Sequence, residues 1–410
     1  EEIRVREFKT FRELSLKLDP YNVIIGINAA GKSNFIDIFR FLKDIASRGL
    51  QDAISLQGGA ECLRNLCYVS EEPLSIEVRI DCRSTPLRFM LCLRGGASMD
   101  MAVKSWLYRL EIPVIHSQPP IVEVIEAEGD FGTVSMVERT AEVREGKIRI
   151  FRERDGVLKV SISPEEVEQL MENPAAPGSK FSGGRSILED PFCIPSLAFL
   201  IHSVGRFFAN MGIYDMDPNL ARRLAITGPA SLEPDGSNLT IALEHLLKDE
   251  RKKEEFVTLL NDILPFIKDV DMEIFQGFSP MVALREAYCE GILTPAYLLS
   301  AGTVHLTMLL LILYFEERNP VILEEPGRNI HPFLASRIVE WIRDVSMRLD
   351  KQVIFTTHHP TIVKHTADRL LVVKRDSMGY SCILRPLESQ EVKAYLDFLG
   401  IEDLFVQNLL

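Results

Sequence analysis

The sequence has no CxxC pair and no His/Cys cluster. Its seven cysteines (Cys62, Cys67, Cys82, Cys92, Cys193, Cys289 and Cys382) are odd in number and scattered through 410 residues. That pattern argues against a disulfide framework or a zinc site and fits reduced thiols of a cytosolic protein. A membrane-length apolar run is also missing. The greasiest stretch, "LTMLLLILYF" at 306–315, has ten residues, half a span, and reads as a buried helix. The N-terminus carries Glu1, Glu2, Arg4 and Arg6 instead of a signal peptide, so a cytoplasmic protein with no membrane partner is expected. Positive charge is in short supply: 46 Lys and Arg against 59 Asp and Glu give a net charge of −13. This excludes a generally basic nucleic-acid binder and leaves room only for a local basic groove. There are no internal repeats, and no heptad pattern lasts the several turns that a long coiled coil needs.

What is present suits a globular chain of two or three domains, 46% hydrophobic and 26% charged. "IRVREF" and "ELSLKL" alternate apolar and polar side chains, and "NVIIG" is a continuous apolar run of the kind found in buried central strands. From Asn34, a helical stripe follows: Phe35, Ile36, Ile38, Phe39, Phe41, Leu42 and Ile45. Residues 74–160 have period two and read as mostly β. The segment "ENPAAPGSKFSGGRS", within 172–191, reads as a loop, and 192–268 as largely helical. From 281, strands ("MVALREAY", "PVILEE", "QVIFTT", "RLLVVKR", "YSCILRP") alternate with helices near 303–317, 333–349 and 360–366. Two α/β lobes separated by an inserted β and helical region is the simplest parse.

"GINAAGKS" fits G-x-x-x-x-G-K-[ST] from Gly26 to Ser33, after a strand and before a helix. Backbone amides and the helix N-terminus can face phosphates there, Lys32 can reach the β- and γ-phosphates, and the Ser33 hydroxyl can bind Mg²⁺. The bland alternative is a glycine-rich turn with no ligand. "PVILEEP" ends a second buried strand in Glu324 and Glu325. The first carboxylate suits Mg²⁺ through water, and the second suits a general base. Alone, the pair could simply open a helix. "QVIFTTHHP" ends a third strand in His358 and His359. There a histidine can bond a γ-phosphate, or two polar residues can merely form a loop. In "LLSAGTVHL", Ser300, Gly302 and Thr303 open an apolar helix. Ser300 is either its N-cap or part of an N-terminus binding a γ-phosphate held by another subunit.

These four pieces, in this order, resemble the ABC-type ATPase heads of the RecF, SMC and OLD-like group. In detail the chain is similar to the standalone bacterial AAA-type (RecF-like) ATPases. "GINAAGKSNFIDIF" resembles their Walker A, "LSAGT" their signature, "VILEEPGRNIHP" their Walker B and D-loop, and "TTHHP" their switch-histidine loop. "EPDGSNLTIAL" at 233–243 is similar to a segment that recurs in the group. The resemblance covers 1–70 and 230–410. It implies an α/β fold: a P-loop NTPase of ABC-ATPase type, with a mixed central sheet, flanking helices, and an inserted β-rich and helical lobe. The core would be 1–70 and 281–410, the β-rich insertion 71–170 and the mainly helical lobe 171–280.

Carried over by residue, the resemblance implies ATP bound by Gly26, Asn28, Ala29, Ala30, Gly31, Lys32, Ser33 and Asn34. Mg²⁺ would sit at Ser33 and Glu324, with Glu325 as catalytic base and His358 as switch. Ser300 and Gly302 would act in trans, with Asn329 in the D-loop at the dimer interface. Three departures stand out. Ala29 and Ala301 replace residues common in the group, and the Q-loop glutamine is unclear between Gln51 and Gln57. The chain ends about 50 residues after the switch loop and has no long coiled coil. Neither an intrinsic Toprim nuclease nor a long arm is therefore expected.

The resemblance implies an ATP-dependent homodimer that hydrolyses ATP, serving DNA repair, recombination or anti-phage defence, often with a separately encoded nuclease or effector. The other expectation is a nucleotide-gated switch that grips DNA or a partner protein through the inserted lobe. For DNA, the candidate track is "VREGKIRIFRER" at 143–154, with Arg144, Lys147, Arg149, Arg152 and Arg154. The competing reading is a solvated strand face compensated by Glu145 and Glu153. "KDERKKEE" at 248–255 reads as a solvated helix face.

Overall fold

The computed structural model describes residues 2–65, 71–82, 87–92, 98–113, 121–134, 143–152, 157–163, 185–190, 192, 194, 197–223, 228–275, 279–288, 292–390, 392 and 400–407. The chain forms two compact units, one of residues 1–18, 33–210 and 374–383, the other of 19–32, 211–373 and 384–410. Part of the expected loop at 172–191 lies outside the described residues, as do Cys67, Cys193, Cys289, Glu153 and Arg154. Among the described residues Cys62, Cys82 and Cys382 form no disulfide, and no helix is long and apolar enough to cross a membrane.

In the first unit, the alternating opening segments become β1 (Glu2–Phe8) and β2 (Phe11–Lys17). They pair antiparallel, and β1 continues onto β4 (Leu74–Asp81). Beyond β4, β6 (Ser98–Ile112), β7 (Val122–Val134), β8 (Val143–Arg152) and β9 (Leu158–Ser163) follow in order, while β5 (Leu87–Cys92) pairs with β6. Helix α1 (Lys32–Arg48) buries all seven residues of its apolar stripe. Phe35 packs edge-on to Phe11, and Phe41 against Phe8. Lys9 adds an ion pair to Asp37 at 2.6 Å. A short helix, α2 (Leu50–Leu56), follows Gly49. Further on, α3 (Ala198–Ala209) sets Phe208 against Trp106 and Tyr108 of β6.

A buried polar cluster pins residues 185–189 to this sheet. Glu123 is fully buried; it accepts from the Tyr108 hydroxyl (2.8 Å), the Ser186 hydroxyl (2.5 Å) and the Ile187 N–H (2.7 Å). Burial pushes the Glu123 carboxyl up and the Tyr108 phenol well up; the three donated bonds oppose the first shift. Arg152, also buried, donates to the Arg185 carbonyl.

The second unit holds the parallel strands β10 (Gly212–Tyr214), β14 (Val321–Glu324), β15 (Val353–Thr356), β3 (Tyr21–Ile25) and β16 (Leu370–Arg375), adjacent in that order. All five residues of β3 are buried, as a strand covered on both faces requires. The register aligns Glu324 with Thr356 and Thr356 with Ile24. The carboxyl ends of three neighbouring strands therefore lie side by side, where parallel α/β sheets bind ligands. Beyond them in sequence, β16 turns at Asp376–Gly379 and the chain enters β17 (Ser381–Leu384).

Helices α4 (Leu239–Leu247) and α5 (Glu250–Ile263) precede an antiparallel sheet of β11 (Ile267–Phe275), β12 (Ser279–Glu286) and β13 (Leu293–Pro295). Next comes α6 (Ala301–Leu310), buried from Thr303 to Leu310, which runs into a π-turn at Leu311–Phe315. The Lys351 ammonium caps that turn, donating to the carbonyls of Leu313 (2.8 Å) and Glu316; burial pushes its pKa down to about 8. Helices α7 (Pro332–Arg348) and α8 (Pro360–His365) complete the unit around the site.

Glu123→Leu strands three donors in the first unit. At about 1–3 kcal/mol for each buried unpaired group, the variant is expected to lose at least about 3 kcal/mol. A urea denaturation midpoint that does not move would show the cluster to be dispensable.

Candidate functional site

The loop after β3 is shaped by its own backbone. A Cβ on Gly26 (φ 154°) would stand 2.4 Å from the Val373 carbonyl oxygen of β16, so no side chain fits there. Ala29 has φ 63°, a left-handed conformation costing an L-residue about 1–2 kcal/mol. That explains why glycine suits this position. Lys32 donates to the carbonyls of Gly26 (2.7 Å) and Ile27 (3.2 Å). Burial lowers its pKa, and the charge of Glu325 opposes the shift. Asn28 and Ala29 are exposed, and Ala30 and Gly31 buried. Ser33 is exposed on the first turn of α1. Asn34 donates its side-chain amide to the Thr10 hydroxyl at 2.8 Å.

The second element is the end of β14. Glu325 has φ 49°, held there by its N–H, which reaches the carbonyl and hydroxyl oxygens of Thr356 (3.2 Å each). Its carboxylate then grips the third element. One oxygen lies 2.8 Å from Nδ1 of His358, and the other accepts the His358 N–H at 3.3 Å. The Glu325 side chain is 16% exposed and that of His358 69%. His359 is half-buried, and burial lowers its pKa. A Cβ on Gly327 would meet the Ile362 side chain at 2.9 Å, so the turn after Glu325 lies tight against α8.

The fourth element is the start of α6. Ser300 caps it, accepting from the Thr303 N–H at 3.0 Å. Arg222 donates to the Leu299 carbonyl just before it. Gly302 faces Asn329: a Cβ there would be 3.0 Å from the Asn329 carbonyl oxygen. Asn329 is left-handed, with φ 62°. His305 is buried, with Nε2 3.0 Å from the Pro326 carbonyl oxygen.

The structure thus joins Glu325 and His358 through one carboxylate, whose charge also acts on Lys32, and brings Ser300, Gly302 and Asn329 together at the head of α6. Sequence reasoning missed Thr356, Arg222 and His305. Of these, only His305 had a signal, an imidazole inside an otherwise apolar helix. Gln51 lies on α2 and Gln57 caps its end. Gln57 lines a polar cleft of the first unit with Lys9, Asp37 and Arg40.

The basic strand is largely neutralised. Lys147 pairs with Glu126 (2.6 Å) and Glu128 (3.2 Å), and Arg149 with Glu126 (3.1 Å). Arg152 points into the buried cluster. Glu145 pairs instead with Lys104.

A family model described as "AAA domain, putative AbiEii toxin, Type IV TA system" matches residues 21–65 and 229–364. Those two stretches carry all four elements. Among solved structures, an SMC head bound to the C-winged helix domain of ScpA is 12% identical with a TM-score of 0.50, covering 94% of this chain and 97% of that one. The SMC head domain from Thermotoga maritima is 14% identical with a TM-score of 0.42, over 94% and 97% of the two chains. An SMC head with an extended coiled coil, bound to the C-terminal domain of ScpA derived from Pyrococcus furiosus, is 11% identical with a TM-score of 0.44, over 97% and 99%. No curated protein matches the sequence significantly. At such identities the likeness concerns the fold. The likeness to the SMC head with a TM-score of 0.50 shows the fold, and the family model matches an AAA domain over 21–65 and 229–364. This is an ATP-binding P-loop NTPase fold.

One titration follows from the site. Burial pushes His305 down from 6.5 to about 4; the bond to Pro326 opposes this and the charge of Arg328 adds to it. The unfolded chain then binds the extra proton between those values. The stability from the neutral imidazole is complete above about pH 6.5 and lost as pH falls through about 4. Urea midpoints across that window are expected to fall more steeply in the wild type than in His305→Gln. Equal slopes would mean that His305 titrates as in the unfolded chain.

Proposed function

We propose that the chain is a Mg²⁺-dependent ATPase that acts as a head-to-head dimer with two ATP molecules between the heads. The observation that carries this reading is the Glu325 carboxylate. It directly follows a buried strand, its charge opposes the desolvation of Lys32, and it is bonded to both the ring and the N–H of His358. A carboxylate so placed suits a general base for water attacking a γ-phosphate in line. Lys32 and the amides of the Gly26–Gly31 loop, with Asn28, Ala29 and Ala30, would hold the phosphates, and Asn34 would close the loop. His358, swinging to a γ-phosphate, would release Glu325 for water. Ser300 and Gly302 would meet the partner's nucleotide, with Asn329 beside them.

Mg²⁺ fits the donor set. Ser33 and Glu324 supply a hydroxyl and a carboxylate, the oxygen ligands this ion takes beside phosphate and water. Among the described residues no group of three His, Cys, Asp or Glu could hold a metal alone, so the nucleotide would complete the sphere. When bound, the ion would neutralise charge developing on the phosphates.

The setting we propose is cytoplasmic: phage defence, or DNA repair and recombination, beside a separately encoded effector. The family description names a putative toxin of a type IV toxin–antitoxin system, which fits a chain acting with a separately encoded partner. The paired charges of Lys147 and Arg149 weaken the case for a DNA track on β8.

The test is ATP turnover against protein concentration, with and without DNA, beside Glu325→Gln. The rate per chain is expected to rise with concentration, and the variant to lose at least about 100-fold in kcat while still binding ATP. Binding without turnover in the wild type would overturn the enzyme and leave a nucleotide-gated switch. DNA stimulation would favour repair.

A further inference from the structure

The helix that opens with Ser300 and the turn that follows Glu325 are tied at two points. Gly302 and His305 are three residues apart on α6, hence on one face of it. Gly302 approaches the Asn329 carbonyl closely enough that a Cβ would be 3.0 Å away. His305 meets the other end of the same turn, 3.0 Å from the Pro326 carbonyl oxygen. A carbonyl only accepts, so Nε2 carries the proton. Nδ1 is then bare, and it is buried with no hydrogen-bond partner.

That arrangement is poor for stability alone. A buried polar atom with no partner costs about 1–3 kcal/mol, and His305 stands among Val304, Leu306 and Met308, all buried. A leucine would fill an apolar helix without that cost. What leucine lacks is a donor aimed at the residue next to Glu325. Proline has no N–H and a fixed φ, so anchoring its carbonyl fixes the peptide that leaves Glu325. The Thr356 bonds fix the peptide that enters it.

We propose that His305 is a positioning residue for hydrolysis: it locks Pro326, and through it Glu325, to the helix that presents Ser300 and Gly302. The head of α6 and the general base then move as one body. This rests on the reading of Glu325 as the base.

Turnover and binding of a fluorescent ATP analogue are to be measured on the full chain for the wild type, Glu325→Gln, His305→Leu and His305→Gln. In His305→Leu, kcat is expected to fall by about 10- to 100-fold, the scale of an ångström's misplacement. KM and nucleotide affinity should not change. His305→Gln, which keeps an N–H donor, should recover most of the rate. A leucine variant with wild-type kcat overturns the proposal; so does a rise in KM alone, or a fall that glutamine does not relieve. If Glu325→Gln itself turns over ATP, the reading of Glu325 fails. If it is inactive while His305→Leu is fully active, only the positioning role fails. Should the leucine variant not fold, His305→Asn, too short to reach Pro326, is read by the same criteria.

Discussion

Glu325 stands in a backbone conformation that an L-residue adopts only when its surroundings impose it. Its φ of 49° costs about 1–3 kcal/mol. Two bonds from its N–H to Thr356 and two contacts from its carboxylate to His358 offset that cost. These bonds exist because β14 and β15 are neighbours in register, which puts Glu324 beside Thr356. That register depends in turn on the continuous apolar character of "VILE" and "VIFT", buried almost throughout. A hydrophobic constraint in the sheet is thus converted into the placement of one carboxylate, to which the loop at His358 attaches.

The parts legible in the sequence are those set by local pattern. The seven apolar positions expected to line α1 are all buried. The four motif-bearing segments lie at the strand ends and helix start where the pattern puts them, because each needs only a strand, a turn and a cap to define it. Ser300 does cap α6 as the plainer reading held. Three strands escaped, β10, β11 and β13, the last also only three residues long. β10 has three residues, too few for any period to register. β11, "IKDVDMEIF", alternates well, but its acids and its place after a long helix masked it; pairing with β12 is what makes it a strand.

What a single sequence cannot carry is the identity of the residue across the gap. Lys147 and Arg149 looked like a basic track because only their own strand was visible. The register of β7 with β8 sets Glu128 opposite Lys147 and Glu126 opposite Arg149, and cross-strand pairs of opposite charge stabilise a sheet. The compensation was expected from Glu145 and Glu153 on the same strand, and it comes from the neighbouring one. Thr356 and His305 were missed for the same reason. Their roles are contacts to residues 31 and 21 positions away, and no period or spacing announces such contacts.

A chain of net charge −13 that holds a polyanion also needs an electrostatic account. At physiological salt, exposed charges are screened beyond about 8 Å, so the acidic surface matters less than the groups lining the loop. Those groups are backbone amides, whose dipoles are fixed by positive-φ positions, and one ammonium. Lys32 is partly desolvated, which lowers its pKa, and the charge of Glu325 opposes that shift without cancelling it. The carboxylate therefore has two functions before any chemistry. It opposes the desolvation of Lys32, and it holds His358 by ring and backbone. The carboxylate placed by the register of β14 and β15 thus acts on an ammonium and an imidazole from different segments of the chain.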